Sequence, residues 1–271
     1  MLLSFSSQGP LRHLWHAVAR VDDVQDKPLA VELLRDQLVL WRGPSGRVIA
    51  AVDRCSHRNS NLSPGGVVDG CLVCPHHGRV FGEGGLCVEI PRLDDGGEIN
   101  DAAHLKTYAC DERNGLVWVC LGTPRADIPA VPADDDPVYR RATASPATWS
   151  APAPRVVEAL LDRGGADGDD SGFGVPFTYR RSSPGGQLLV TCSPLGAGKS
   201  HVFCVAWTND PAVSVEDLLA TEVAALTELK PAVEAISGMF EIDKDAPGDG
   251  ATSGAGGAWR QALVGAVTAQ V

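Results

Sequence analysis

Two short stretches carry side chains that can hold a transition metal. Residues 53–58 read Asp-Arg-Cys-Ser-His-Arg and residues 74–78 read Cys-Pro-His-His-Gly. Cys55 and His57 make one pair and Cys74 and His77 the other, separated by the 16 residues from 58 to 73. Two thiolates and two imidazoles suit a [2Fe–2S] cluster in which two Cys bind one iron and two His bind the other. Neutral His in place of anionic Cys lifts the potential to somewhere from roughly −150 to +300 mV. Tetrahedral zinc competes for a Cys₂His₂ set, but zinc modules usually pair Cys with Cys and His with His. Here each half holds one of each, and Pro75 and Gly78 flank the second pair as a tight ligand loop requires. The iron–sulfur cluster is therefore the expected cofactor.

Other candidate groups read as structural. His13 and His16 lie three apart with no Cys or acidic partner near, so a packed or surface pair is expected. Gly196-Ala-Gly-Lys-Ser200 looks like part of a phosphate-binding loop. The first Gly of that motif would fall at Ser193, however, and His201–Trp207 has a strand pattern where the motif needs a helix. Of eight Cys, six (Cys71, Cys87, Cys110, Cys120, Cys192, Cys204) lie outside the two pairs, mostly in apolar runs. Buried free thiols of a cytosolic protein are expected, not a disulfide framework.

The elements that must position the ligands are short strands. Ala30–Leu34 and Leu38–Arg42 are apolar runs, Gly43-Pro-Ser-Gly46 is strong turn chemistry, and Arg47–Val52 is the next strand. Gly65-Gly66 and Gly84-Gly85 are turns around the ligand loops, and Leu116–Leu121 is a buried strand. Residues 1–122 thus read as a small antiparallel β domain with the ligands on two loops. Residues 123–154 hold seven Pro and Asp134-Asp-Asp136, a linker or extended strap. In residues 155–271, Arg155–Asp162 reads as a short helix ended by Gly164-Gly165. Gln187–Ser193 and His201–Thr208 read as a hairpin, and Ser214-Val-Glu-Asp217 caps a helix running through Leu229. Residues 244–257 are Gly/Ala/Asp-rich and expected to be mobile, and Ala258–Ala269 is a closing helix.

The chain has 271 residues, 44% of them hydrophobic, and a formal net charge of −11. That charge argues against nucleic acid or an anionic membrane as a partner. The first residues lack a basic n-region, and no window approaches the ~20 apolar residues of a membrane span, so a cytoplasmic location is expected.

The chain resembles the oxygenase subunits of Rieske non-haem iron oxygenases, most nearly their aryl O-demethylase branch. Trp15-His-Ala-Val-Ala-Arg is similar to the family's opening. Cys74-Pro-His-His-Gly-Arg-Val-Phe-Gly resembles its C-P-Y-H-G-W-x-F-D, and Gly85-Leu-Cys-Val-Glu-Ile-Pro91 its G-x-C-x-x-I-P. Three departures are His76 for Tyr, Arg79 for Trp and Gly82 for Asp. Respiratory-chain Rieske proteins add a Cys–Cys clamp, but Ser60 and His76 stand at those positions. The resemblance implies an α+β chain: an antiparallel β Rieske domain, then a shortened helix-grip-like catalytic-type domain. It also implies assembly as a ring of three subunits, in which Asp162 would link the cluster His of one subunit to the iron site of the next.

The family holds a mononuclear iron with two His and one carboxylate. Aligned on Ala159-Leu-Leu-Asp162, its two His fall at Gly165 and at Asp169 or Asp170. Aligned on Glu228–Glu234, its carboxylate falls at Leu229. Only His201 of seven His lies beyond residue 104, so no mononuclear iron is expected. Two readings follow. In one, the protein acts on an apolar small molecule of secondary metabolism by a redox-neutral reaction such as cyclisation, with the cluster largely structural. In the other, it is an electron-transfer or structural subunit working with a reductase or an intact oxygenase subunit.

Overall fold

Strands buried on both faces explain why the apolar runs of this chain are nearly continuous. In Asp36–Arg42, Leu38 and Leu40 enter one core while Val39 and Trp41 enter another. In Leu116–Cys120, Val117 and Val119 face the first core, and Leu116 and Trp118 a third. Successive side chains of a strand point to opposite faces, so one strand can serve two cores.

The computed structural model describes residues 2–4, 9–91, 98–163, 170–183, 185–196, 198–236, 240–243 and 255–268. In chain order the elements begin with β1 (Leu2–Ser4), β2 (His16–Arg20), β3 (Leu29–Leu33), β4 (Asp36–Arg42) and β5 (Val48–Val52). Next come β6 (Gly66–Val68), β7 (Cys71–Val73), β8 (Val80–Phe81), β9 (Cys87–Glu89), β10 (Thr107–Arg113) and β11 (Leu116–Cys120). Then follow β12 (Arg140–Thr143), β13 (Ala147–Trp149), α1 (Ala153–Arg163), β14 (Asp170–Gly174), β15 (Thr178–Ser183), β16 (Gly186–Gly196) and β17 (Lys199–Thr208). The chain closes with α2 (Val215–Glu234), β18 (Glu241–Asp243) and α3 (Ala255–Thr268). This is the expected mix of antiparallel sheets and a few helices.

One sheet runs β2-β11-β10-β5-β4-β3, and a smaller one, β6-β7-β8-β9, carries the second ligand loop. Val39, Trp41, Ile49 and Ala51 of the large sheet pack on Leu72 and Phe81 of the small one, with Cys55 and Cys74 at the edge of that core. A third sheet runs β12-β17-β16-β15-β14, with β13 also on β17. Ser214 Oγ accepts the Asp217 N–H at 3.2 Å, the expected cap of α2.

Several expectations are corrected. The proline-rich 123–154 stretch is no simple strap: β12 and β13 both pair with β17. Its Asp134 accepts from the Asn114 N–H at 2.8 Å and the Trp207 indole N–H at 3.1 Å, clasping a turn of the first sheet to the third. Proline count had hidden Arg140–Thr143, whose polar composition suits an edge strand. The β3–β4 turn also lacked a signal. Leu34 and Arg35 sit at φ 50° and 68° without Gly or Asn, held because their N–H groups donate to Pro194 and Leu195 carbonyls at 2.8 and 2.6 Å. The strand expected after the Gly-Lys-Ser stretch is present: β17 starts at Lys199, and Ser200 Oγ donates to the Ala151 carbonyl at 2.9 Å. Much of the 244–257 segment lies outside the described residues.

Candidate metal centre

The two ligand loops are built alike. In the first, the Cys55 N–H donates to Ser60 O at 2.8 Å and the Asn59 N–H returns to Cys55 O at 2.9 Å. In the second, the Cys74 N–H donates to Arg79 O at 2.8 Å and the Gly78 N–H returns to Cys74 O at 3.1 Å. Each loop closes through a left-handed residue four after its Cys: Asn59 at φ 56° and Gly78 at φ 69°. Asn tolerates that conformation through local hydrogen bonds, so Asn59 does in one loop what glycine does in the other. Only the glycine was legible in the sequence.

Asp53 anchors the first loop. It is buried, and its Oδ1 accepts the N–H groups of Leu62 and Ser63 at 2.6 and 2.8 Å while Oδ2 accepts the Ser63 hydroxyl at 2.6 Å. Sequence reading missed this role, because residues 62–63 return to Asp53 only in three dimensions. Gly65 brings the loops together, its α-carbon lying against the Val73 carbonyl beside Cys74.

The four candidate ligands meet in two pairs. Cys55 and Cys74 are buried, and their thiols are within hydrogen-bonding contact. Burial, above all, raises the Cys55 thiol; the Cys74 thiol raises it further, while the His57 N–H and the Arg79 charge oppose. A bound metal cation reverses that, deprotonating a coordinating thiol outright. The His57 and His77 rings are exposed, with centroids 4.9 Å apart at 71°. Among the described residues no three such side chains converge on one point. A cluster taking two protein ligands per iron does not require it. The donor set and its division into a thiol pair and an imidazole pair fit a [2Fe–2S] group. His57, His76, His77, Arg79, Ile90 and Pro91 line an open cleft of about 500 Å³ over the imidazoles.

The remaining thiols are free, as expected, with Cys110 and Cys204 pushed up to about 12 by burial. His16 is buried, and His13 Nδ1 lies 2.9 Å from the Thr123 carbonyl.

Of the second-half positions, Asp162 is exposed on the last turn of α1 and Leu229 is half-buried on α2. Gly165 and Asp169 lie outside the described residues, as does the side chain of Asp170. His201 sits half-buried on β17 beside Phe203, ring centroids 6.2 Å apart. Between α1, α2 and the third sheet lies a cavity of about 20 Å³, lined by Leu160, Tyr179, Leu226 and the Arg181–Glu222 ion pair.

Residues 14–109 match the Rieske [2Fe-2S] domain family. The chain is 35% identical over 160 residues to methylxanthine N1-demethylase NdmA of Pseudomonas putida, covering 56% of this chain and 45% of that protein. It is 37% identical over 134 residues to the oxygenase component of dicamba O-demethylase of Stenotrophomonas maltophilia, covering 48% of this chain and 39% of that one. The matched stretches thus span less than half the length of either relative. Among solved structures, NdmA of Pseudomonas putida CBB5 superposes with a TM-score of 0.74 at 24% identity, covering 95% of both chains. Apo dicamba monooxygenase gives 0.73 at 23% identity, over 95% of this chain and 97% of that one. Those superpositions speak to fold. The ligand loops and the family match define a Rieske [2Fe–2S] domain, and the whole chain shares its fold with those structures. Residues 14–109 form a Rieske [2Fe-2S] domain, and the chain is similar in sequence to the oxygenase components of demethylases.

Proposed function

We propose that Cys55, His57, Cys74 and His77 hold a [2Fe–2S] cluster and that the chain serves as an electron-transfer subunit of a Rieske oxygenase system. A cluster bound there supplies one electron at a time. The observation that carries the reading is the division of the site: both thiols buried, both imidazoles exposed in a cleft open to a partner. Asp53 and the two loop closures fix the ligand backbones, and the Trp41–Phe81 core keeps water from the thiol side.

The second half does not fit the family's mononuclear iron. Residues 105–271 contain one His, His201, and the position aligned with the carboxylate is Leu229. Oxygen activation is therefore assigned to an acceptor outside this chain, with a reductase as donor. Asp162, exposed at the end of α1, is the side chain we assign to meet a neighbouring subunit's imidazole in a trimeric ring. The cavity of about 20 Å³ between α1, α2 and the sheet has room for a water, not for a substrate, whose sites usually measure about 300–1,000 Å³. This weighs against redox-neutral cyclisation in that cavity.

The purified chain should be reddish-brown, hold two irons and give a Rieske-type EPR signal when reduced. With reductase and O₂ it should form no product until an oxygenase subunit with an intact two-His, one-carboxylate set is added. A colourless protein with one zinc would remove the cluster. Product formed anaerobically by the oxidised chain alone would replace electron transfer with the redox-neutral reading.

A further inference from the structure

Arg79 stands where the resembled pattern has Trp, and its side chain has a fixed place. Its Nη1 donates to Ser56 Oγ at 3.1 Å, and Ser56 Oγ donates in turn to the Ala103 carbonyl at 2.6 Å. Ser56 lies between Cys55 and His57, while the Arg79 carbonyl receives the Cys74 N–H. The guanidinium therefore reaches from the second ligand loop to the first and sits at the wall of the imidazole cleft. It is half-buried, unlike the exposed Arg54 and Arg58 nearby. Among the described residues it has no carboxylate partner to cancel its charge.

We propose that Arg79 raises the reduction potential of the centre, acting as a fixed cation pinned by Ser56 against the cluster ligands. Reduction adds one negative charge to the site. A nearby positive charge favours the more negative state, and more so where burial limits solvent screening. Arginine keeps its charge at any working pH, so the effect is constant. Trp at this position would supply ring contacts and no charge. The anchor matters because a mobile surface cation spends much of its time away from the site. The inference rests on Cys55, His57, Cys74 and His77 being the ligands.

The test is a redox titration of the holoprotein, followed by visible circular dichroism, on wild type, Arg79→Gln, Arg79→Lys and Arg58→Gln. Arg79→Gln should lower the reduced-to-oxidised ratio at a fixed applied potential about tenfold, which is ~59 mV for a one-electron couple. Arg79→Lys should stay near wild type, and Arg58→Gln should shift less than Arg79→Gln. An unchanged potential in Arg79→Gln with full iron content overturns the proposal. So does a Lys variant that falls as far as the Gln variant, since the charge would then be irrelevant. If Arg79→Gln does not retain iron, Ser56→Ala decides: it frees the charge from its anchor and should lower the potential by a smaller step, and no change there overturns the proposal. A colourless wild type would instead sink the ligand assignment itself.

Discussion

His16 shows how one buried side chain can set the acid limit of the fold. It is 1% exposed, and its Nε2 lies 2.9 Å from the Leu11 carbonyl, which can only accept, so Nε2 carries the proton. Nδ1 has no partner among the described residues. Burial pushes its pKa from 6.5 down to about 4, with the Leu11 hydrogen bond pulling weakly the other way. The unfolded chain therefore binds this proton first as pH falls. Stability from neutral His16 is full above pH 6.5, declines between 6.5 and about 4, and is flat below, a loss of about 3 kcal/mol in all. His201 is also lowered by burial and adds to the same trend. His16→Phe should flatten the slope of urea-unfolding free energy between pH 7 and 5. Equal slopes in variant and wild type would assign the acid loss to other groups. At this scale the candidate ligand set Cys55, His57, Cys74 and His77 was legible, because a metal demands particular donor atoms at short spacing. The burial of His16 and the anchoring by Asp53 were not, since both depend on residues that arrive by the fold.

Among the elements, the β6–β7 hairpin is what brings the second loop to the first. A Cβ on Gly65 would fall 2.1 Å from Val73 O and 2.9 Å from Leu62 O, both backbone atoms that cannot swing aside. Gly66, next in sequence, would place its Cβ in open space. Gly65→Ala should force β6 from β7 and move Cys74, costing at least the about 1–3 kcal/mol of ordinary overpacking. Iron per chain, measured on purified protein, should fall in Gly65→Ala and hold in Gly66→Ala. Equal iron in both would mean the hairpin yields without moving the ligand. The double glycine was read from the sequence as a turn, but not which member is indispensable. β4, β5, β11, β16 and β17 were legible because their apolar runs are long. β12 and β13 were missed because an edge strand paired on one side needs little apolar character. The Leu34-Arg35 turn was missed because its support comes from β16, some 160 residues away in sequence.

At the scale of the whole molecule, composition suggested a cluster domain, a linker and a second domain. The packing joins the first and the last of these. One continuous core includes Val18, Leu38 and Val119 of the first sheet together with Val190, Val202 and Cys204 of the third and Trp259 of α3. Backbone bonds from Leu34 and Arg35 to Pro194 and Leu195 cross between them, and the Ser193 hydroxyl donates to the Ala17 carbonyl. Asp134 adds its clasp from what composition marked as linker. Separating the halves would expose apolar surface at roughly 25 cal/mol per Å² and strand these polar groups. We therefore expect residues 1–122 and 155–271 to unfold as one unit. Urea transitions of the oxidised protein, followed by visible circular dichroism of the cluster and by tryptophan fluorescence, should coincide. Trp207 and Trp259 report the second half, Trp41 and Trp118 add a first-half component to the fluorescence, and the cluster reports the first half alone. A fragment ending at residue 122 should show no cooperative transition, because Val117 and Val119 would lose their cover. Two resolved transitions, with the cluster signal surviving loss of the fluorescence change, would mean that the shared core contributes little and that the halves are independent domains.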